Sequence, residues 1–175
     1  MDKITPIFTS QINTPLGAML IGATDAGVCL LEFADRRTLE TELRDLRRLL
    51  KAEVISGINQ HTQQTEKELT EYFAGQRTTF TLTINAPGTD FQRSVWDMLL
   101  TVPYGQTASY QAQASKLGKL KAIRAVAAAN GANRISILIP CHRIIGKDGA
   151  LTGYGGGLER KRWLLQHERN HRGLS

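Results

Sequence analysis

Ile137-Leu138-Ile139-Pro140-Cys141-His142-Arg143-Ile144-Ile145 sets a cysteine directly beside a histidine, inside an apolar run that covers residues 135–145. A thiol is a poor nucleophile and a thiolate a strong one. An adjacent imidazole is among the few neighbours that lower a cysteine pKa enough to matter. A cysteine that only packs has apolar groups on every side. Cys141 has rigid Pro140 before it, and basic His142 and cationic Arg143 after it. Cys29, in Val28-Cys29-Leu30-Leu31, has no base nearby and reads as packing. Cys141 is therefore the candidate nucleophile.

Upstream of this run, Phe91, Val95, Met98, Leu99 and Val102 share one helical face, which Pro103-Tyr104-Gly105 stops. Residues 107–117 read as a short helix, Gly118-Lys119-Leu120 as a turn and residues 121–130 as another helix. Two short helices about a Gly-containing turn fit a helix-turn-helix. Lys116, Lys119, Lys121 and Arg124 around that turn favour DNA over an ordinary helical hairpin. Ala122, Ala125, Ala127, Ala128 and Ala129 keep the second helix thin, which suits a shallow minor groove better than base reading in the major groove. Arg134 then precedes a strand expected over residues 135–139. Downstream, Gly146-Lys147-Asp148-Gly149 is a turn and residues 153–157 form a Gly-rich loop. A helix over residues 158–168 closes the chain, with Trp163, Leu164 and Leu165 turned inward.

The first half has a different texture. Residues 7–12, 16–23 and 27–33 read as strands, separated by the turn signals Asn13-Thr14-Pro15 and Thr24-Asp25-Ala26-Gly27. Leu39, Leu43, Leu46 and Leu50 place a helix over 38–51, whose charged face (Glu40, Glu42, Arg44, Asp45, Arg47, Arg48) reads as solvated. A second helix over 62–73 stops at Ala74-Gly75, and residues 78–84 are strand-like. Asn85-Ala86-Pro87-Gly88 is the linker, placed where the charge balance changes. Residues 86–175 carry 13 Lys and Arg against 5 Asp and Glu, a net +8; the first 85 residues carry 9 against 11, a net −2. A basic half points to a polyanion partner, most commonly a nucleic acid.

The 175 residues suffice for one large domain or two small ones. No apolar run is long enough to cross a bilayer, and the N-terminus lacks a secretory pattern. Two cysteines of unlike context make no disulfide framework. The expected setting is the cytoplasm, where a reactive thiol survives. His, Cys and carboxylates lack chelating spacing in the first half, so no metal is expected there.

Eight pieces recur in order from residue 91 to residue 168. They are Phe91-Gln92-x-x-Val95-Trp96, Val102-Pro103-Tyr104-Gly105, Ser109-Tyr110, Ala122-Ile123-Arg124-Ala125-Val126 and Ala129-Asn130-Gly131-x-Asn133. Ile137 to Arg143, Gly153-Tyr154-x-Gly156-Gly157 and Trp163-Leu164-Leu165-x-x-Glu168 complete the set. In this order and spacing the stretch resembles the C-terminal domain of the O6-alkylguanine-DNA alkyltransferases; the first half matches that family only in length and pattern. The resemblance implies an α/β (α+β) fold. Residues 1–85 would form a small antiparallel sheet with helices, ribonuclease H-like. Residues 86–175 would form a mostly helical domain with the helix-turn-helix and the active-site cysteine.

The resemblance also implies the chemistry: irreversible, stoichiometric transfer of an alkyl group from guanine O6, and from thymine O4, to Cys141. His142 would take the thiol proton through a water. Glu168 would orient His142 and stabilise imidazolium, as a carboxylate does in hydrolase triads. Tyr110 would donate to the departing base, and Asn133 would be a hinge between the recognition helix and the cysteine strand. The target atom lies inside the duplex, so the base must leave the stack; Arg124 would enter the vacated space. Lys119, Lys121, Ala122, Ala125, Ala129 and Arg134 would line the DNA face. Tyr154, Gly155, Gly156, Ile144 and Ser136 would shape the substrate pocket, with the carbonyls of Cys141 and Ile144 receiving the guanine amino group.

No cofactor is implied. The implied partner is double-stranded DNA carrying alkylated guanine, bound through the minor groove, with a monomer in solution and several molecules along the DNA; in a bacterium the protein would associate with the nucleoid. Gly155 stands where relatives often have serine, and Leu120 and Arg134 where they often have proline. Gly156 leaves the pocket mouth uncrowded for bulky alkyl groups. Two rivals remain at this level: a damage-binding module without chemistry, whose known examples lack the cysteine, and a cysteine hydrolase, in which adjacent residues position a base poorly.

Overall fold

Strands β1 (Thr5–Thr14), β2 (Gly17–Thr24) and β3 (Gly27–Phe33) form an antiparallel meander joined by two-residue connections, with β3 buried along its whole length. Gly27 is required where it stands: its φ is +139°, and a Cβ there would lie 2.6 Å from the Thr83 carbonyl oxygen. The computed structural model describes residues 4–172, and the chain divides into two units, Met1–Pro87 and Gly88–Ser175.

In the first unit a fourth strand, β4 (Ala52–Ser56), adds to β1 in parallel and gives the order β3-β2-β1-β4. Its side chains are largely exposed, so no apolar alternation announces it. Helix α1 (Leu39–Leu50) lays Leu43 and Leu46 against Ile7, Cys29 and Leu30, and Cys29 is indeed a packing residue. Glu42, read as solvated, is instead buried and shares Arg36 with the buried Glu32. Helix α2 (Gln60–Phe73) starts at an Asn59–Thr62 capping box and buries Leu69 and Tyr72. The strand expected over 78–84 reduces to one isolated bridge, Val28 to Ile84. The Glu68 carboxylate explains this: it accepts both the Thr81 N–H (2.8 Å) and the Thr81 hydroxyl (2.7 Å), taking the segment out of the ladder.

In the second unit α3 (Asp90–Leu99) opens at a Thr89–Gln92 capping box and buries Val95, Trp96, Met98 and Leu99. The helix expected from 107 starts later, since Ala108–Ser109 forms β5, which pairs in parallel with β6 (Ile144–Ile145). Helix α4 (Tyr110–Lys116) is capped by the Ser109 hydroxyl, and α5 (Ile123–Gly131) follows a 3-10 turn at Leu120–Ala122. The buried side-chain amides of Gln113 and Asn130 exchange two hydrogen bonds of 2.7 and 2.8 Å and lock α4 to α5. Helix α6 (Leu158–His171) buries Leu164 and Leu165, while Trp163 is only half-buried, stacked on His167.

The strand expected over 135–139 is absent. Its backbone closes on itself instead: Leu138 N–H bonds Ser136 O (2.8 Å), Ile139 N–H bonds Ile135 O (3.0 Å) and Cys141 N–H bonds Ile139 O (2.8 Å). Ile137 sits at φ 74°, a left-handed conformation that a β-branched residue rarely adopts. The run is apolar because it is buried on all sides, not because it pairs in a sheet.

Candidate active site

The two tight turns deliver Cys141 into a 3-10 turn, Cys141–Arg143, where Cys141 is half-buried while His142 and Arg143 are buried. Asn133 fixes this delivery. Its side-chain amide donates to Ile139 O (2.9 Å) and to Cys141 Sγ (3.3 Å), and its Oδ1 accepts the Ile135 N–H (2.9 Å). Asn133 thus clamps the turn that carries the thiol.

His142 and Glu168 have no solvent exposure, and Nε2 of the ring lies 2.7 Å from Glu168 Oε2. Arg143 grips the same carboxylate, from Nε at 2.8 Å and from Nη2 at 3.1 Å, and its Nη1 donates to Val102 O at 2.7 Å. The Gly105 N–H adds a long bond of 3.4 Å. Burial alone would favour a neutral Glu168, but the His142 and Arg143 contacts overcome it and hold the carboxyl well below the usual range. An ionised carboxylate only accepts, so Nε2 carries the proton and Nδ1 is left with the lone pair. Among the described residues Nδ1 has no hydrogen-bond partner. Burial pushes the His142 pKa down, against Glu168, so the ring is neutral and able to accept a proton.

A second cluster stands beside the first. The Tyr110 hydroxyl, at the start of α4, donates to Thr152 O (2.9 Å). A Cβ on Gly153 would lie 3.4 Å from that hydroxyl, so the 153–157 loop begins against Tyr110. Lys161 of α6 is fully buried; its ammonium donates to Ile144 O (2.5 Å) and to the same Thr152 O (2.9 Å). Tyr154 and Gly156 are half-buried and Gly155 is exposed.

Lys119, Lys121, Arg124 and Ala125 are exposed around the start of α5, and Ala122 and Arg134 are half-buried. Ala129 departs from the expected DNA face. It is buried, and its carbonyl accepts the Trp96 indole N–H at 2.9 Å, which pins α5 to α3. Ser136 and Ile144 are also buried, so their side chains line no open surface; Ile144 offers its carbonyl, already bonded by Lys161. The sequence reading missed Lys161 and the grip of Arg143 on Glu168. A signal existed for Lys161 alone: Lys161, Leu164, Leu165 and Glu168 fall at positions i, i+3, i+4 and i+7 of one helical face. A cavity of about 380 Å³ lies behind Glu168, between Gly105, Gln106, Thr107, Leu165, Arg169 and Arg172, and does not include Cys141.

Fold and site together define a two-part protein in which a helix-turn-helix accompanies a thiol backed by a buried His–carboxylate–Arg network. Residues 7–86 match the family described as 6-O-methylguanine DNA methyltransferase, ribonuclease-like domain, and residues 90–170 match its DNA binding domain. A methylated-DNA–protein-cysteine methyltransferase of Methanosarcina barkeri is 39% identical over 161 residues, 91% of this chain and 96% of that protein. The counterpart in Mycobacterium bovis is 53% identical over 103 residues, 59% of this chain; that match spans 62% of the relative's length. The crystal structure of Mycobacterium tuberculosis OGT in complex with DNA superposes with a TM-score of 0.80 at 36% identity, covering 95% of this chain and 94% of that one. This chain belongs to the methylated-DNA–protein-cysteine methyltransferase family.

Proposed function

We propose that this protein repairs duplex DNA by moving an alkyl group from guanine O6 to its own Cys141, once per molecule. The observation that carries the reading is the 2.7 Å bond between His142 and Glu168, which fixes the tautomer of the ring next to the acceptor thiol. In the proposed step the Cys141 proton passes through a water to His142 Nδ1. The thiolate attacks the alkyl carbon in line, an S–C bond forms and the C–O6 bond breaks. The electron pair leaves on guanine, which takes a proton from the Tyr110 hydroxyl; the tyrosine recovers it from solvent. Glu168 holds the imidazolium, a role that the two hydrogen bonds it accepts from Arg143 moderate. The thioether is stable, and Cys29, buried in the other unit, offers no route to reverse it.

The base reaches Cys141 only outside the stack, and the exposed Arg124 fills the gap it leaves. Exposed Lys116, Lys119 and Lys121 supply phosphate contacts, and small exposed Ala125 allows close approach to the minor groove. The 153–157 loop covers the flipped base, with Tyr154 as a wall and Gly155 and Gly156 leaving room for alkyl groups larger than methyl; thymine O4 is a second substrate position. The protein acts as a monomer, several of which occupy one DNA, in the cytoplasm or on the nucleoid. The test is a duplex containing O6-methylguanine at excess over protein. Intact-mass and peptide analysis should find one methyl, on Cys141, and a reaction that stops at one equivalent. Continued turnover, or no adduct on Cys141, overturns the proposal.

A further inference from the structure

Lys161 presents a problem that the proposed chemistry does not use. Its side chain is fully buried, yet among the described residues no carboxylate is paired with its ammonium. Its two hydrogen-bond acceptors, the carbonyls of Ile144 and Thr152, satisfy N–H donors without cancelling charge. The Tyr110 ring, 5.9 Å away, is a weak cation–π neighbour. A buried charge without a counter-charge is costly.

The ionisable groups around it narrow that use. Tyr110 faces Lys161 from α4, while the 3-10 turn contributes Cys141, His142 and Arg143. Glu168 lies two turns along α6, and Tyr104 packs on Arg143. The charges of Arg143 and Glu168 cancel each other in a doubly hydrogen-bonded ion pair. His142 is neutral. With Cys141 as a thiol, the cluster is left with one uncompensated positive charge. With Cys141 as a thiolate, and its proton passed on by His142 to solvent, it is neutral.

We propose that Lys161 is the counter-ion of the Cys141 thiolate and a positioning residue of the site, holding Ile144 and Thr152 around the reacting sulfur. The thiolate is then stabilised by a buried lysine, while His142 serves as the route for its proton. Burial lowers the Lys161 pKa and the Cys141 charge acts to raise it, as this pairing requires. Lys161 also ties the site into one piece: Thr152 O takes hydrogen bonds from both its ammonium and the Tyr110 hydroxyl, so the leaving-group donor and the counter-ion share an anchor.

The inference rests on Cys141 being the acceptor, and its test needs no DNA. The rate of Cys141 alkylation by iodoacetamide is followed from pH 5 to 10, with peptide mapping to separate Cys141 from Cys29. The wild type should titrate below the free-cysteine value of about 8.5. Lys161→Met, with its fold checked by near-UV circular dichroism, should raise the midpoint by at least one unit, a tenfold loss of thiolate below it. Lys161→Arg should restore most of the shift. Transfer from free O6-alkylguanine by Lys161→Met should drop about tenfold at neutral pH and recover at high pH, which lost structure would not do. An unchanged Cys141 midpoint in folded Lys161→Met overturns the proposal. Should that variant not fold, nuclear magnetic resonance of the Lys161 ammonium decides the matter. Its pKa should fall in Cys141→Ser, and an unchanged value refutes the pairing. If the thiol titrates as expected but no alkyl transfer from DNA occurs, the repair reading fails and the counter-ion stands.

Discussion

Replacing Glu168 by glutamine would change one atom and disrupt the hydrogen bonding of a neutral imidazole and a buried guanidinium. The amide keeps the shape of the carboxylate but offers one acceptor where His142 and Arg143 now use two oxygens in three bonds. The larger loss is charge, because the Arg143 guanidinium is nearly as buried as its partner. Breaking a buried ion pair from one side costs about 3–5 kcal/mol, whereas replacing both partners by apolar groups is often neutral. For a unit of this size 1 kcal/mol shifts the melting temperature by about 4–8 °C, so Glu168→Gln should melt at least about 12 °C lower. Glu168→Gln combined with Arg143→Met should recover most of that loss, yet remain as slow in alkyl transfer as the single variant, since nothing then orients His142. The same substitution should alter acid sensitivity. A carboxyl whose folded pKa is depressed stabilises the fold above its unfolded pKa of about 4.5 and loses that stability as pH falls below it. Glu168→Gln should therefore show a shallower fall in melting temperature below pH 4.5. Thermal unfolding by circular dichroism and single-turnover transfer from an O6-methylguanine duplex test both halves. If the double variant melts as low as the single one, the stranded guanidinium is not the cause, and the reasoning fails.

Arg124→Ala should slow repair of duplex DNA by roughly thirtyfold, for a loss of about 2 kcal/mol in extruding the base, and leave transfer from a free O6-alkylguanine base unchanged; Tyr110→Phe should slow both. Equal slowing by Arg124→Ala would move that residue from base flipping to the chemistry or the fold. Binding to undamaged duplex should weaken with salt at a logarithmic slope of about −3, from the three exposed lysines Lys116, Lys119 and Lys121, and a flat response would exclude this face. In the first unit, burial and then repulsion by Glu32 push the Glu42 carboxyl up to about 8. A raised folded pKa stabilises at low pH and loses that contribution as pH rises from about 4.5 to about 8. Stability of the wild type should fall over that window, and Glu42→Gln should flatten the fall; parallel profiles by urea unfolding would contradict the assignment.

What the sequence made legible follows from where information is local. The meander over residues 5–33 and the helices α1 and α3 carry their own periodicity, and adjacency singled out Cys141 and His142 as candidates, of which His142 is found buried against Glu168. Strand β4 was illegible because its side chains are mostly exposed, and its partner β1 lies some 47 residues earlier in the register Thr5 to Ala52. Residues 135–139 misled for the opposite reason: a β-branched apolar run fits a buried strand and a buried pair of tight turns equally well, and only the Ile137 backbone distinguishes them. Glu42 and Lys161 were misjudged or missed as single charges. Burial of a charge depends on partners brought from other elements, and Glu32, Arg36, Ile144 and Thr152 are such partners.

The Gln113–Asn130 amide pair gives the helix-turn-helix a fastening that carries no net charge. Salt that strips lysines from phosphates has little hold on two mutually saturated amides shielded from solvent. On the proposed reading, the integrity of the helix-turn-helix and its hold on DNA are thus governed by separate physics. Rising ionic strength should release the protein from its track with α4 and α5 still in register, ready to land again without refolding, so that hopping between sites costs only the search.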